Sequence, residues 1–271
     1  MGKAILLGTT GMAVALAMLA FGYAAGRPDA VARDTPATAQ VASAQAGDKT
    51  EIEAIVRDYL VKNPEILMEM QTALEQKQGE AQRLAHLDTI KSSKAEIFNA
   101  DYDGVVGNPN GKVTIVEFYD YNCGYCKRAQ QDMLALTASD PELRFVLKEF
   151  PILGPDSQKA HVVSMAFRRL MPEKYGEFHN QLLGSESGAG EAAAINLAVS
   201  LGADEAALRS EMQNPAIMAA FSKTYELATR LNITGTPSYV VGNEVVFGAL
   251  GQEVLAEKIA DARDCLADKT C

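Results

Sequence analysis

Cys123 and Cys126 stand three residues apart in the stretch FYDYNCGYCKRA, residues 118–129. Two thiols at that spacing can exchange electrons, hold a metal or close a small structural loop. A zinc site needs about four ligands and usually two such pairs. The other cysteines, Cys265 and Cys271, lie at the far end of the chain, and the three histidines show no ligand spacing. No metal or other cofactor is therefore expected, although two soft thiolates suffice for Cu(I), which stays open as a second activity. A purely structural bridge over so short a loop gains little chain entropy. Dithiol–disulfide exchange is the chemistry that fits the pair best.

The elements around the pair support that choice. KVTIVEF is an apolar, β-branched run ending at the cysteines, and KRAQQDMLALTAS has helical spacing with Met133, Leu134 and Leu136 apolar. Cys123 thus falls where a strand ends and a helix begins, at unpaired N–H groups and the positive end of the helix dipole, which favour a thiolate. That makes Cys123 the nucleophile and Cys126, one turn on, the resolving thiol, with Gly124 and Tyr125 keeping the redox loop short. No cation lies between them, so the poise is expected to be less oxidising than that of a histidine-containing pair. Far downstream, NITGTPSYVVG places Thr236-Pro237 just before a strand, where proline removes a ladder hydrogen bond unless it occupies a special turn. A cis peptide there brings the Thr236 backbone beside the cysteines and offers an extended substrate a strand-like partner.

The order of elements predicts an α/β chain. LRFVLKEF is a second buried strand, so strand, helix and strand form a right-handed βαβ unit. Residues from about 155 to 230 are helical, with breaks at Pro172, Gly184, GSESGAG, Gly202 and Pro215; SYVV-GN-EVVF is a hairpin, and GQEVLAEKIADARDCL a closing helix. The pattern is a thioredoxin fold with a helical insertion. His161 and His179 fall in that insertion and read as packing or surface residues. Cys265 and Cys271 lack a strand-to-helix setting; a structural disulfide between them would pin the chain end, with free thiols or pairing between chains as alternatives.

The amino-terminal part is organised differently. Residues 1–26 carry a long apolar run with no charge between Lys3 and Arg27. A secretory core of about 7–15 residues is shorter, and a spanning helix of about 20 is closer. The run is a signal anchor or a cleaved signal peptide, with the length leaning toward an anchor over residues 4–26. Residues 27–48, rich in Ala, Asp, Pro, Thr and Gln, read as a disordered linker. Residues 49–100 read as helical, with Ile52, Ile55, Val56, Tyr59 and Leu60 on one face, and Ile66, Leu67, Met70 and Leu74 on a second helix after Asn63-Pro64. So thin an apolar stripe is not stable alone. It either folds back on its own domain or, as we expect, forms an oligomerisation stalk, chiefly through residues 50–75. The net charge of −10 argues against nucleic-acid binding. Export places four cysteines in an oxidising compartment, where two disulfides are the natural count.

EFYDYNCGYC, FVLKEFPILG and GTPSYVVG together resemble the DsbA-type thiol:disulfide oxidoreductases of the bacterial envelope, over roughly residues 105–265, so residues 101–271 are expected to form a DsbA-like domain. EAIVRDYLVKNPEILMEMQTALE is similar to the amino-terminal segment of the ScsC-like subgroup. The resemblance implies Cys123 as nucleophile, Cys126 as resolving thiol and Thr236-Pro237 as the cis-proline loop. It also implies Glu117 as a buried acid in a proton relay, with Lys148 as its candidate partner. Clients would be proteins bearing cysteines or disulfides, and a membrane redox partner would reset the pair. Gly124-Tyr125 departs toward the disulfide isomerase DsbC, and threonine before the proline agrees with it. The ScsC likeness implies a periplasmic homo-oligomer, a trimer above all, suited to isomerase or reductase work. A dithiol oxidase, and a Cu(I)-binding or chaperone protein, are the competing functions.

Overall fold

Five strands, β1 (Gly104–Gly107), β2 (Val113–Tyr119), β3 (Leu143–Glu149), β4 (Ser238–Val241) and β5 (Glu244–Phe247), form one sheet in the order β1-β3-β2-β4-β5. The coordinates are a computed structural model that describes residues 37–268. Strands β2 and β3 run parallel, joined by helix α4 (Gly124–Ser139), as the βαβ pattern requires; β1, β4 and β5 pair antiparallel. The insertion spans α5 (Pro155–Leu170), a 3-10 turn, α6 (Tyr175–Leu183), α7 (Glu191–Ser200), α8 (Glu205–Glu211) and α9 (Pro215–Arg230). Helix α10 (Gln252–Ala267) follows the hairpin. Strand β1 escaped the sequence analysis because GVVG is too short to show a period.

The period-2 alternation of a strand divides the core between the two faces of the sheet. Ile115, Tyr119, Phe145, Leu147, Tyr239 and Val241 pack with α4, the insertion and α10. Val116, Phe118, Val146 and Val240 point the other way, against Leu227 and Leu231 near the end of α9.

The described chain divides into two units within α2 (Ile66–Ser92), after Thr72. In the first unit α1 runs from Ala37 to Lys62. It begins inside the stretch expected to be a disordered linker. Ala37, Ala39, Ala42, Ala44 and Ala46 are the physical reason, since alanine has the highest helix propensity. The apolar stripe of α1 is uncovered, as is its continuation at the start of α2: Ile52, Ile55 and Tyr59, then Leu67 and Met70, are each more than half exposed. Residues 4–26 lie outside the described residues; among those described, no helix is long and apolar enough to cross a membrane.

The segment expected to be stalk as far as residue 100 behaves differently in the second unit. From His86 onward it belongs to the folded domain, because Ile90 and Ile97 are fully buried on the Phe118 face of the sheet. Helix α3 (Lys94–Phe98) is locked there by Lys148. The Lys148 ammonium donates to the Glu96 carbonyl and to Asp103 Oδ2, each at 2.5 Å, and both side chains are buried.

Removing one partner of such a pair strands the other charge in the core. Lys148→Met is expected to cost about 3–5 kcal/mol in urea unfolding, and adding Asp103→Leu should restore most of it. A single substitution costing under about 1 kcal/mol would show that the pair does not hold α3 in place.

Candidate active site

The chain positions Cys123 by ending one element and starting another. Strand β2 stops at Tyr119, the Asp120 carbonyl accepts the Cys123 N–H at 3.0 Å, and Cys123, in extended conformation, is the residue that caps α4. The N–H groups of the first turn have no intrahelical acceptor, and those of Tyr125 and Cys126 act on its sulfur. Cys123 is 6% exposed and Cys126 wholly buried, both as free thiols. The Thr236-Pro237 peptide bond is cis, and the Cys123 thiol donates to the Thr236 carbonyl at 3.1 Å. Residues 113 positions apart are thus in direct contact, as expected from the sequence.

The two thiols have opposite acidities. Cys123 is lowered to about 5, chiefly by the Cys126 thiol, against a desolvation penalty, with further help from the Thr236 side chain and the backbone N–H groups of Cys126 and Tyr125. Cys126 is pushed far above the ordinary thiol range by burial, then by donating to Cys123 and by the charge of Glu117. The missing cation between the cysteines is therefore not needed for a low value: hydrogen bonds alone supply it. A stabilised thiolate shifts the pair toward a more oxidising disulfide than an unperturbed thiol would give. Tyr125 is 59% exposed, with the Arg128 guanidinium 4.3 Å from its ring centre; Gly124 is exposed beside it.

Glu117 and Lys148 part company. Glu117 is buried on the cysteine face, with the Tyr239 hydroxyl 3.5 Å from Oε1, and burial raises its carboxyl to about 8. Lys148 sits opposite Phe118 in the β2–β3 register, so the alternation turns it to the other face and to Asp103. It is not the partner of Glu117, which has no cation at its carboxylate among the described contacts.

Sequence reasoning missed a polar layer behind the pair. Glu149, at the end of β3, pairs with His161 Nδ1 and accepts from Ser164 Oγ at 2.7 Å and from the Tyr175 hydroxyl at 3.2 Å. The Tyr121 N–H donates to His161 Nε2 at 3.2 Å, so that nitrogen carries no proton and the Nδ1 proton faces Glu149. The Tyr121 hydroxyl reaches Ser164 Oγ at 2.8 Å and His179 Nδ1 at 3.4 Å. His161 and His179 are thus fully buried, neither of them at the surface. No sequence spacing links a strand end to two helices of an insertion; only the fold does.

Cys265 is disulfide-bonded, and its expected partner Cys271 lies outside the described residues. Among the described residues no three His, Cys, Asp or Glu side chains converge where a metal ion could sit.

The DSBA-like thioredoxin domain pattern matches residues 114–260, more than half of the sequence. The chain belongs to the DsbA-like thioredoxin family. Residues 48–81 match the Copper resistance protein ScsC N-terminal domain. A thioredoxin-like oxidoreductase from Silicibacter pomeroyi is 38% identical, covering 63% of this chain and 97% of that one, with a TM-score of 0.60. The thiol-disulfide exchange protein alpha-DsbA2 of Wolbachia pipientis is 28% identical, covering 67% and 97%, with a TM-score of 0.61. Among curated proteins, the Na(+)/H(+) antiporter NhaA 3 of Salinispora tropica is 22% identical over 60% of this DsbA-like chain, which spans only 25% of that protein's length.

The folded chain keeps the Glu117 proton up to about pH 8, whereas an ordinary glutamate releases it near 4.5. The folded state therefore binds more protons in that window, and this group's contribution to stability falls as pH rises through it. Cys123 contributes an opposite slope that a Glu117 variant shares. Relative to wild type, Glu117→Gln should gain roughly 3 kcal/mol in urea unfolding between pH 5 and pH 8. A constant difference across that range would mean that Glu117 is ionised throughout.

Proposed function

We propose that this chain exchanges disulfides with protein clients in the bacterial envelope through Cys123 and Cys126. One observation carries it: a thiol lowered to about 5 at a helix start, hydrogen-bonded by a buried thiol that stays protonated. The Cys123 thiolate attacks one sulfur of a client disulfide, the client S–S bond breaks, and the other client sulfur leaves as a thiolate. In reduction, Cys126 then gives its proton to the ionised fraction of Glu117 and attacks Cys123 Sγ. The second client thiolate leaves, the client is reduced, and Cys123–Cys126 becomes a disulfide. In isomerisation a client thiolate attacks the mixed disulfide instead, returning Cys123 with no net electron transfer. Ionising Cys123 also removes the thiol proton from the Thr236 carbonyl, freeing that acceptor for a backbone N–H of an extended client.

The reading assigns an isomerase or reductase bias, supported by Gly124-Tyr125, by the ScsC-type match over residues 48–81 and by the uncovered apolar stripe of α1. That stripe suits assembly of several copies, a trimer by preference, through residues 50–75, so that several redox pairs meet one client. The location proposed is the periplasm, with residues 4–26 as an inner-membrane anchor and a membrane redox partner resetting the pair. A second reading, a dithiol oxidase, is favoured by the stabilised thiolate itself.

Wild-type protein should reduce insulin and reactivate scrambled ribonuclease, Cys123→Ala should fall to background, and Cys126→Ala should accumulate mixed disulfides. Cys123→Ala with wild-type activity would sink the assignment, and tight Cu(I) binding without exchange would favour a metal carrier. The cellular redox state separates the directions, since a mostly oxidised pair marks an oxidase. In sedimentation, deletion of residues 50–75 should leave a monomer; an unchanged mass would refute the stalk.

A further inference from the structure

Asn122, the residue before the nucleophile, is tied more tightly than any role in chain direction demands. Its Nδ2 donates to the Ala189 carbonyl at 2.7 Å and to Ser157 Oγ at 3.0 Å, and its Oδ1 accepts the Ala189 N–H at 2.7 Å. The side-chain amide thus pairs with a peptide unit of the insertion as a neighbouring strand would. Its own N–H is held by Asp120 Oδ1 at 2.8 Å. Asp120 is wholly buried and accepts from Ser157 Oγ at 2.7 Å through Oδ1, and from the Ile152 and Leu153 N–H groups at 2.9 and 3.0 Å through Oδ2.

Two further side chains on the redox helix grip the same insertion. Lys127 donates to the Ser185 carbonyl at 2.5 Å, and Gln130 to the Asn180 carbonyl at 2.8 Å. Residues on both sides of the cysteines therefore hold one stretch of backbone. Among these grips Asn122 is the one a single peptide bond from Cys123. With both its side chain and its N–H fixed, the remaining backbone rotation that aims Cys123 is narrowed.

We propose that Asn122 is a positioning residue that couples Cys123 to the insertion loop 185–189, so that the sulfur meets the donors of the first helical turn only while that loop is docked. The proposal rests on Cys123 being the nucleophile. It differs from a plain tether in what it controls: donor geometry at sulfur, which hydrogen-bond angles set steeply.

The test is the pH dependence of Cys123 alkylation by iodoacetamide in the reduced full-length chain, read by mass spectrometry, with circular dichroism as the control for folding. The ionisable groups that act on the Cys123 thiol are Cys126 on α4 and Glu117 on β2, and neither is changed by the variant. Wild type should show a midpoint near 5, and folded Asn122→Ala a midpoint higher by about half a unit or more, since thiolate character follows the local donors. An unmoved midpoint in the folded variant overturns the positioning role, whatever happens to its thermal stability. Should Asn122→Ala fail to fold, Asn122→Leu decides, since it keeps the side-chain volume and removes both bonds to Ala189: a shift in the same direction supports the role, and none overturns it. A wild-type midpoint in the ordinary thiol range of about 8.5 would instead remove the nucleophile assignment, and this proposal with it.

Discussion

A thiolate just outside a helix keeps its charge only while hydrogen-bond donors stay aimed at it, and the second unit of this chain is built around that requirement. The donors come from three places: the Cys126 thiol one turn on, the Thr236 side chain from a distant loop, and the first N–H groups of α4. None is a formal cation. Each is a partial charge whose effect depends on distance and direction, so the backbone carrying them must be held on every side. Strand β2 fixes the entry and β4 follows the Thr236 loop, while the insertion closes over the third side through Asn122, Lys127 and Gln130.

The same sheet separates two buried charge systems that are one register step apart on neighbouring strands. Glu117 and Lys148 lie on neighbouring parallel strands, one register step apart, and so on opposite faces. On the cysteine face, burial raises the Glu117 carboxyl to about 8, so that it stays largely protonated near neutral pH. On the other face, Lys148 finds Asp103 and the end of α3, and its work is to hold the chain's entry into the domain. One residue of displacement along a strand decides which face, and so which partners, a buried charge meets.

Behind the cysteine pair, Glu149, His161, Tyr121, Ser164 and Tyr175 fill a buried space with polar groups that satisfy one another. Such a network keeps one arrangement because each lost bond leaves a desolvated partner. It supports the loop from below as Asp120, Asn122 and Ser157 support it from the side. The apolar stripe of α1 is the opposite case: Ile52, Ile55 and Tyr59 stay uncovered within their own unit.

The order strand, helix, strand, helical insertion, hairpin and helix was legible in the sequence, because period-2 and helical patterns and the Gly-Asn turn are local. So was the placement of the cysteine pair between a strand and a helix and beside a cis Thr-Pro peptide, since residue types at element ends are local signals. The point where the amino-terminal helices join the folded domain was not legible: Ile90 and Ile97 look like any thin stripe until the sheet face that receives them exists. Nor was the choice of face for Lys148, which depends on register, or the Asn122 and His161 contacts, which join segments far apart in the chain. Sequence by itself determined which thiols could react and where along the elements they sit. The acidity of Cys123, the isolation of Glu117 and the bracing of the loop were decided only by tertiary structure, because hydrogen bonds and burial act through space between residues that no local pattern connects.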